Sequence, residues 1–435
     1  MRVCVLTQGC KVNRSESGAL EEELEGRGHA LVAFGEEVDA VVLNTCTVTH
    51  RSDRDARALI RRARRANPGA RIVVTGCLAQ VAPEELRGLG VDAVVGTAEK
   101  ATIPDLLERG AEGSFVGDVA RVSVLAPAGL RRLRGRTRAF FKVQEGCDAF
   151  CAYCIVPYAR GPSRSLPLEA VKAGLAELRR GGNAEVVLTG VHLGLWGRDL
   201  SPPRGLGDLL DAAEDAGISR VRLSSLEPRE VTGEVIRRLA SSPVLCPHLH
   251  IPLQSGSDRV LRAMGRPYTA GEFRATVERA HREVEGLCVG LDVIAGFPGE
   301  DDADFRETRA LLVDLPFAYL HVFPFSPRQG TRAWDLPERI PEGVIRDRAA
   351  ALRALSAGRR RAFLARNLGR VLGVLPEGEA RNGRLQGTTT NYVSVSFPWE
   401  GAAPSGEVPV ELIRVEGEAV MGRPARSAPG GGPWT

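Results

Sequence analysis

The sequence predicts an α/β protein in three parts: an N-terminal parallel sheet covered by helices, a central partial barrel of six β/α units, and a small C-terminal β-barrel. Three observations carry this. Short apolar runs alternate with helical stretches through the first 110 residues. The same alternation repeats about six times over residues 137–365. Beyond residue 366 short strands follow one another, separated by Gly, Asn and Pro turns.

In the first part, RVCVLT (2–7), DAVVLN (39–44), RIVVT (71–75) and VDAVV (91–95) read as strands, with helices at 15–27, 51–66 and 82–89. Short links between unlike elements require crossovers, so the strands should run parallel. We place this domain at 1–110. Residues 111–136, with Gly, Pro and the basic RRLRGR at 131–136, read as a linker. Barrel strands are expected at 138–144, 184–189, 220–225, 248–253, 287–295 and 318–324, with helices such as 167–180 and 270–285 between them. Sites in such barrels sit at the strands' C-terminal ends. The third part is expected at 366–424, and the tail 425–435 is expected to be disordered.

Hydrophobic content is 43% and charged content 26%, ordinary for a globular chain. Net charge is only +4, so any nucleic-acid surface has to be a local patch. The N-terminus lacks the basic start and apolar core of a secretion signal, and no apolar run reaches membrane-spanning length; a cytoplasmic protein is expected. Nine cysteines, an odd number, point to metal or redox use before a disulfide framework.

Six of those cysteines form two constellations. GCDAFCAYC places Cys147, Cys151 and Cys154 in a C-x3-C-x2-C loop directly after the first barrel strand. Three soft thiolates can hold three irons of a [4Fe–4S] cluster. The fourth iron can take the amino and carboxylate groups of S-adenosylmethionine (SAM), and electron transfer to the sulfonium can release a 5′-deoxyadenosyl radical. A zinc loop is the rival, but zinc would want a nearby fourth Cys or His, and none follows within thirty residues. The second constellation is Cys10, Cys46 and Cys77, each just past a strand's C-terminal end. In a parallel sheet those ends share one edge, where ligands usually bind. Three small core cysteines are the alternative; a second cluster is the reading we adopt. Cys4, Cys246 and Cys288 lie in or near apolar strands and read as core.

Strand-end cysteines followed by C-x3-C-x2-C strongly resemble the radical-SAM methylthiotransferases, over nearly the whole chain. The carrying stretches are GCKVNRSES (9–17), NTCTVT (44–49), TGCLAQ (75–80), QEGCDAFCAYCIVPYARG (144–161), VLTGVHLG (187–194), HLHIPLQSGSDRVLRAM (248–264) and HVFPFSPRQGT (321–331). The resemblance is closest to the branch that modifies threonylcarbamoyladenosine in tRNA. It implies a radical-SAM (β/α)6 partial barrel, a C-terminal TRAM domain, and addition of a methylthio group to carbon 2 of an adenine beside the anticodon. It also implies SAM and two [4Fe–4S] clusters, the one on Cys10, Cys46 and Cys77 donating sulfur. Implied partners are tRNA and an electron donor such as flavodoxin or ferredoxin.

The resemblance places Tyr153 beside the SAM adenine, and Thr189 and Gly190 near its amino group. Ser225, Glu227 and Gln254 fall where they could reach the ribose. DVIAGFPGE (292–300) resembles a glycine-rich strand end, in which Gly296 lets backbone approach the ligand. The family more often has Thr or Ser where this chain has Leu291. Each of these residues has a bland alternative as packing or a strand-end cap.

The stretch 51–71 holds eight arginines and two acids. It reads either as a solvated helix face or as a phosphate-binding surface through Arg57, Arg61 and Arg64. Arg131, Arg132 and Arg134 are a second candidate. Tyr392 and Phe397 could stack bases or fill the small barrel's core. His192, His250 and His321 could line the cavity, with no catalytic role assigned. The same chemistry on isopentenyl-adenosine or a ribosomal-protein aspartate remains open, as does a non-catalytic RNA-binding iron–sulfur protein.

Overall fold

A computed structural model describes residues 1–126 and 137–425. The N-terminal sheet has six parallel strands: β1 (Arg2–Thr7), β2 (Ala30–Leu31), β3 (Ala40–Thr45), β4 (Arg71–Gly76), β5 (Ala93–Val95) and β6 (Gly113–Phe115), in the order β2-β1-β3-β4-β5-β6. Central β3 is buried throughout, as expected of a parallel strand covered on both faces. Helix α1 (Lys11–Gly26) follows β1 directly, and α2 (His50–Ala66) follows β3. Thr49 caps α2 by accepting the Ser52 N–H at 3.1 Å. Two edge strands escaped the sequence reading. β2 is two residues long, and β6 lies inside the stretch expected to be linker; neither is long enough to show alternation.

The central domain opens with β7 (Arg138–Lys142). A small antiparallel pair, β8 (Gln144–Glu145) and β9 (Arg164–Ser165), brackets the C-x3-C-x2-C loop. Then come β10 (Glu185–Thr189), β11 (Arg220–Leu223), β12 (His248–Gln254), β13 (Cys288–Ala295) and β14 (Tyr319–Pro324). Strands β7, β10 and β11 form one parallel sheet and β12, β13 and β14 another, joined through Val221–Leu245 and Ser225–His250 bridges. The expected strand 138–144 is broken at Val143, whose N–H turns to the Thr189 carbonyl at 2.9 Å. The largest core fills the space between these strands and their helices.

The long helix Glu342–Arg366 leads into the third part. There β15 (Val371–Pro376), β16 (Arg384–Thr389), β17 (Ser394–Pro398), β18 (Val408–Glu416) and β19 (Ala419–Pro424) close a barrel in the order β15-β16-β17-β19-β18. Its core includes Val374, Leu385, Val395, Phe397, Val410 and Val420. No helix among the described residues is long and apolar enough to cross a membrane. The tail from residue 426 lies outside the described residues.

The parts are locked together by charge. Arg220 bonds the Thr388 carbonyl at 2.8 Å and the Gly373 carbonyl at 2.6 Å, and Arg222 bonds the Thr390 carbonyl at 3.0 Å. The small barrel is thereby fixed beneath the N-terminal ends of the central strands. On the other side α1 packs on β7. There Arg160 bonds Glu16 at 2.8 Å and Glu145 at 2.6 Å, and Lys142 bonds Glu16 at 2.8 Å.

Candidate active site between two cysteine trios

The loop between β8 and β9 holds Cys147, Cys151 and Cys154. Gly146, at φ 72°, starts it; a Cβ there would sit 1.9 Å from the Pro162 carbonyl oxygen, so only glycine fits. The loop is pinned by Cys147 N–H to the Gly161 carbonyl at 3.1 Å and Ala152 N–H to the Met264 carbonyl at 2.8 Å. Burial pushes the Cys154 thiol up to about 12, and Cys151 and Cys147 add to the shift. Arg266 donates to Cys151 Sγ at 3.2 Å, and His192 Nδ1 lies 3.5 Å from Cys147 Sγ with its Nε2 2.6 Å from Glu230.

The strand-end cysteines converge as well. Cys10 caps α1, Cys46 follows β3, and Cys77 opens the short helix Cys77–Val81 after β4. A Cβ on Gly9 would lie 2.6 Å from Cys46 Cβ. Burial pushes the Cys46 thiol up to about 11, with Cys77 and then Cys10 adding to the shift. Arg160 donates to Cys77 Sγ at 3.3 Å. Each trio therefore has one guanidinium on one sulfur. Neither Arg160 nor Arg266 was singled out from sequence, because both contacts span long separations and carry no local motif.

Among the described residues the one group with three ligand atoms within 4.8 Å of one another is His250, Asp292 and His321. Neither cysteine trio is that tight. A single zinc ion would draw its thiolates together, whereas a four-iron cluster seats each on a different iron. Soft donors, mutual proximity and a nearby cation thus fit a [4Fe–4S] cluster at either trio.

Gly76 shows how strictly the second trio is placed. Its φ is 97°, and a Cβ would come within 2.3 Å of the Thr45 carbonyl oxygen. Gly76→Ala is expected to lower stability by about 1–3 kcal/mol from backbone strain alone, and to reduce bound iron toward that of one cluster. Chemical denaturation and iron assay check this. Unchanged midpoint and iron content would show that the turn does not fix Cys77.

A cavity of about 190 Å³ lies between the trios. Tyr153, Cys154 and Ile155 line it from the loop, and Val48 and Thr49, just after Cys46, from the N-terminal domain. Gln254, Asp292, Ile294 and the segment Phe323–Ser326 complete it. Of the residues expected to contact SAM, Tyr153 and Gln254 face this cavity. Thr189 is buried, and its carbonyl accepts from Val143 N–H. A Cβ on Gly190 would meet Gln144 Oε1 at 2.7 Å. Glu227 pairs with Arg266, the residue that reaches Cys151, while Ser225 is exposed beside its bridge to His250. Gly296 has φ 81° and packs against Ile345, which accounts for glycine there without a ligand.

The inner wall carries a hydrogen-bonded chain that sequence reading left unassigned. His248 Nε2 lies 2.9 Å from Tyr319 Oη, which lies 3.2 Å from His250 Nδ1. His250 Nε2 is 2.9 Å, and His321 Nδ1 3.2 Å, from Asp292 Oδ1. Burial alone would raise the Asp292 carboxyl, but His250 and His321 hold it well below the usual carboxylate range. An ionised Asp292 only accepts, so both imidazoles donate to it. With one proton on each ring, His250 Nδ1 accepts from Tyr319, Tyr319 accepts from His248 Nε2–H, and His248 Nδ1 is left as an acceptor. That buried nitrogen has no partner. The His-x-His and Tyr-x-His spacings were the available signal, since alternate strand residues share a face.

Lys11, the residue after Cys10, lies within electrostatic reach of Arg222, Arg138, Asp292 and Cys10. Burial, and then the two guanidiniums, lower its ammonium to about 8.

Of the two roles left open for Tyr392 and Phe397, packing is the one seen. Phe397 is fully buried in the small barrel's core. Tyr392 plugs the bottom of the central barrel, its ring 4.6 Å from His248 and 5.0 Å from the Arg222 guanidinium. On α2, Arg57 pairs with Glu85, and Arg64 bonds Asp92 and the Ala70 carbonyl, each at 2.7 Å. Both are held within their domain, whereas Arg61 is exposed. Arg131, Arg132 and Arg134 lie outside the described residues.

Comparison with known proteins agrees with this architecture. Residues 2–96 match the family described as Uncharacterized protein family UPF0004, and residues 141–312 match the Radical SAM superfamily. The chain is 38% identical to the threonylcarbamoyladenosine tRNA methylthiotransferase MtaB of Bacillus subtilis, over 90% of this chain and 89% of that protein. It is 36% identical to the protein of the same name from Thermotoga maritima, over 95% of each. It is also 37% identical to the tRNA-2-methylthio-N(6)-dimethylallyladenosine synthase of Anaeromyxobacter dehalogenans, over 97% of this chain and 94% of that one. Among solved structures, the radical S-adenosylmethionine methyltransferase TsrM of Kitasatospora setae shares the fold at TM-score 0.53 and 16% identity, over 75% of each chain.

Proposed function

The chain belongs to the radical-SAM methylthiotransferases, and from that premise we propose that it adds a methylthio group to carbon 2 of N6-threonylcarbamoyladenosine beside the anticodon of tRNA. As a radical-SAM tRNA methylthiotransferase it uses SAM and a [4Fe–4S] cluster. The observation that carries the fuller reading is the cavity bordered by Cys154 on one side and by the residues after Cys46 on the other. An adenine there lies between two trios of thiols.

In this reading Cys147, Cys151 and Cys154 hold the first cluster, and Cys10, Cys46 and Cys77 a second. Bound there, the first cluster with SAM supplies the one-electron chemistry that removes the unreactive C2 hydrogen, and the second supplies sulfur. The protein's own work is placement and charge. Arg266 and Arg160 each place a guanidinium on one sulfur of a trio. Glu227 orients Arg266. Tyr153 and Gln254 line the space for SAM, and the apolar wall of Ile155, Ile294, Phe323 and Phe325 limits water around a reactive radical. Thr189, Gly190, Ser225 and Gly296 shape the strand ends behind this wall. Arg61 and the 131–136 stretch are proposed to meet tRNA phosphate, and a flavodoxin- or ferredoxin-type donor to supply electrons.

The near-equal identity to dimethylallyladenosine enzymes favours a second reading in which that nucleoside is the substrate. Mass spectrometry of nucleosides from a host lacking its own methylthiotransferases and expressing this chain separates them. Methylthio-threonylcarbamoyladenosine is the expected product. A methylthio-dimethylallyl product moves the chain to the sister substrate. No new nucleoside from cluster-loaded protein overturns tRNA as the target and points to a ribosomal-protein aspartate.

A further inference from the structure

We propose that His250, Asp292 and His321 form a binding site for a divalent transition-metal ion, separate from both cysteine trios, with a coordination position open to the cavity. The proposal goes beyond the methylthiotransferase reading and does not depend on which nucleoside is modified.

The donors are two imidazole nitrogens and a carboxylate oxygen, a set that suits zinc or ferrous iron. They stand on three adjacent strands: His250 on β12, Asp292 on β13 and His321 on β14, with Asp292 and His321 paired directly in the sheet. Asp292 Oδ1 lies 2.9 Å from His250 Nε2 and 3.2 Å from His321 Nδ1. Two ligands each about 2.0–2.1 Å from one ion, at right or tetrahedral angles, lie roughly 2.9–3.4 Å from each other. Both separations are therefore already those of a shared ion. The two nitrogens lie within 4.8 Å of one another. Closing that pair falls to His321, whose side chain is 56% exposed and freer to turn than the buried His250 ring. A carboxylate that only balanced two imidazoles could offer one oxygen to each; here both rings address Oδ1.

The groups behind the donors fit as well. A metal-bound imidazole donates its other ring N–H to an acceptor that fixes its orientation. His250 Nδ1 is 3.2 Å from Tyr319 Oη, which is 2.9 Å from His248 Nε2. With an ion on Nε2, His250 Nδ1–H donates to Tyr319, and the Tyr319 hydroxyl donates to His248. The hydrogen-bonded chain simply reverses. Room for Tyr319 comes from Gly290, where a Cβ would lie 2.1 Å from Tyr319 Cζ. Asp292 also lines the cavity, with Gln254 and Phe323. An ion held by three protein atoms keeps a position free. On the cavity side it takes an oxygen donor, either water or a carbonyl or carboxylate of the molecule bound there.

The test titrates Zn²⁺ into full-length enzyme whose cysteines already carry iron. X-ray absorption at the zinc edge separates nitrogen and oxygen neighbours, at about 2.0–2.1 Å, from sulfur at about 2.3 Å. One zinc per chain is expected, with nitrogen and oxygen neighbours and no sulfur. Tyr319→Phe removes only the hydroxyl and is expected to weaken zinc binding roughly ten- to a hundredfold, with iron content unchanged. His321→Ala, which removes a ligand, should exceed roughly a hundredfold. Circular dichroism and iron content report whether each variant is folded; if His321→Ala is not, Tyr319→Phe and the wild-type spectrum still decide. No zinc bound beyond the iron, zinc with sulfur neighbours, or unchanged zinc affinity in folded His321→Ala overturns the site.

Discussion

Replacing Cys46 by Ala is expected to abolish methylthio product while leaving reductive cleavage of SAM intact. The two functions are carried by different parts of the chain. Cys46 follows β3 of the N-terminal sheet and is 6% exposed, close to Cys77 and Cys10. Cys147, Cys151 and Cys154 sit in the loop between β8 and β9, pinned at Cys147 to Gly161 and at Ala152 to Met264, and only the far end of that loop, at Ala159 and Arg160, bonds the N-terminal domain. Alanine at 46 removes one thiolate from a site with three, and truncating Sγ leaves only a small space in a domain whose apolar packing is otherwise complete. Residues that merely support a metal ligand typically cost ten- to a hundred-fold when lost. Loss of a ligand itself should exceed roughly a hundredfold in methylthio product. Liquid chromatography of 5′-deoxyadenosine and of the modified nucleoside reads both functions from one incubation. Cys151→Ala, by contrast, should lose both. Retention of methylthio product by Cys46→Ala would remove the second trio as sulfur donor. Loss of both activities would mean that the two sites are not independent.

Much of this arrangement was legible before any coordinates. Strand ends fall at a shared edge in a parallel sheet, so Cys10, Cys46 and Cys77 could be brought together from periodicity alone. The C-x3-C-x2-C loop needed only local spacing. The pieces that stayed hidden depend on contacts between parts. Arg266 reaches Cys151 across 115 positions, and Arg160 reaches Cys77 across 83. Tyr392 was weighed as a base-stacking or core residue of the small barrel. It packs against that core and also closes the floor of the central barrel, because Arg222 and Arg220 draw the turn after β16 there. The arginine run on α2 looked uniform in sequence. Folding divides it: Arg64 closes onto the Ala70 and Gly90 carbonyls and Asp92, while Arg61 stays exposed. Spacing says which face a residue is on; it does not say which face of another domain is waiting there.

Arg160→Met is expected to weaken the junction between the N-terminal sheet and the central barrel, by up to about 3–5 kcal/mol. Arg160 is 2% exposed and bonds Cys77, Asn13, Glu16 and Glu145, so it joins α1 of one part to the cysteine loop of the other. Methionine fills similar volume but leaves Glu16 and Glu145 without their shared guanidinium. Lys142 still pairs with both carboxylates, and Lys100 with Glu16, which sets the effect toward the low end of that range. The same network fixes the sign of the pH dependence. Burial would raise the Glu16 and Glu145 carboxyls, but Arg160 and the lysines hold both below the usual range. A carboxylate depressed on folding contributes stability that is complete above its unfolded value, about 4.3, and is lost as pH falls toward its folded value. In Arg160→Met both carboxyls move upward, so acid-induced loss of structure should begin at higher pH than in the wild type. Adding Glu16→Gln should recover part of the loss, because it removes one of the two carboxylates that compete for Lys142. Denaturation midpoints between pH 3 and 8 for the three proteins test this. A variant with wild-type midpoints and an unshifted acid limb would show that the buried charge network is not what holds the two cysteine trios across one cavity.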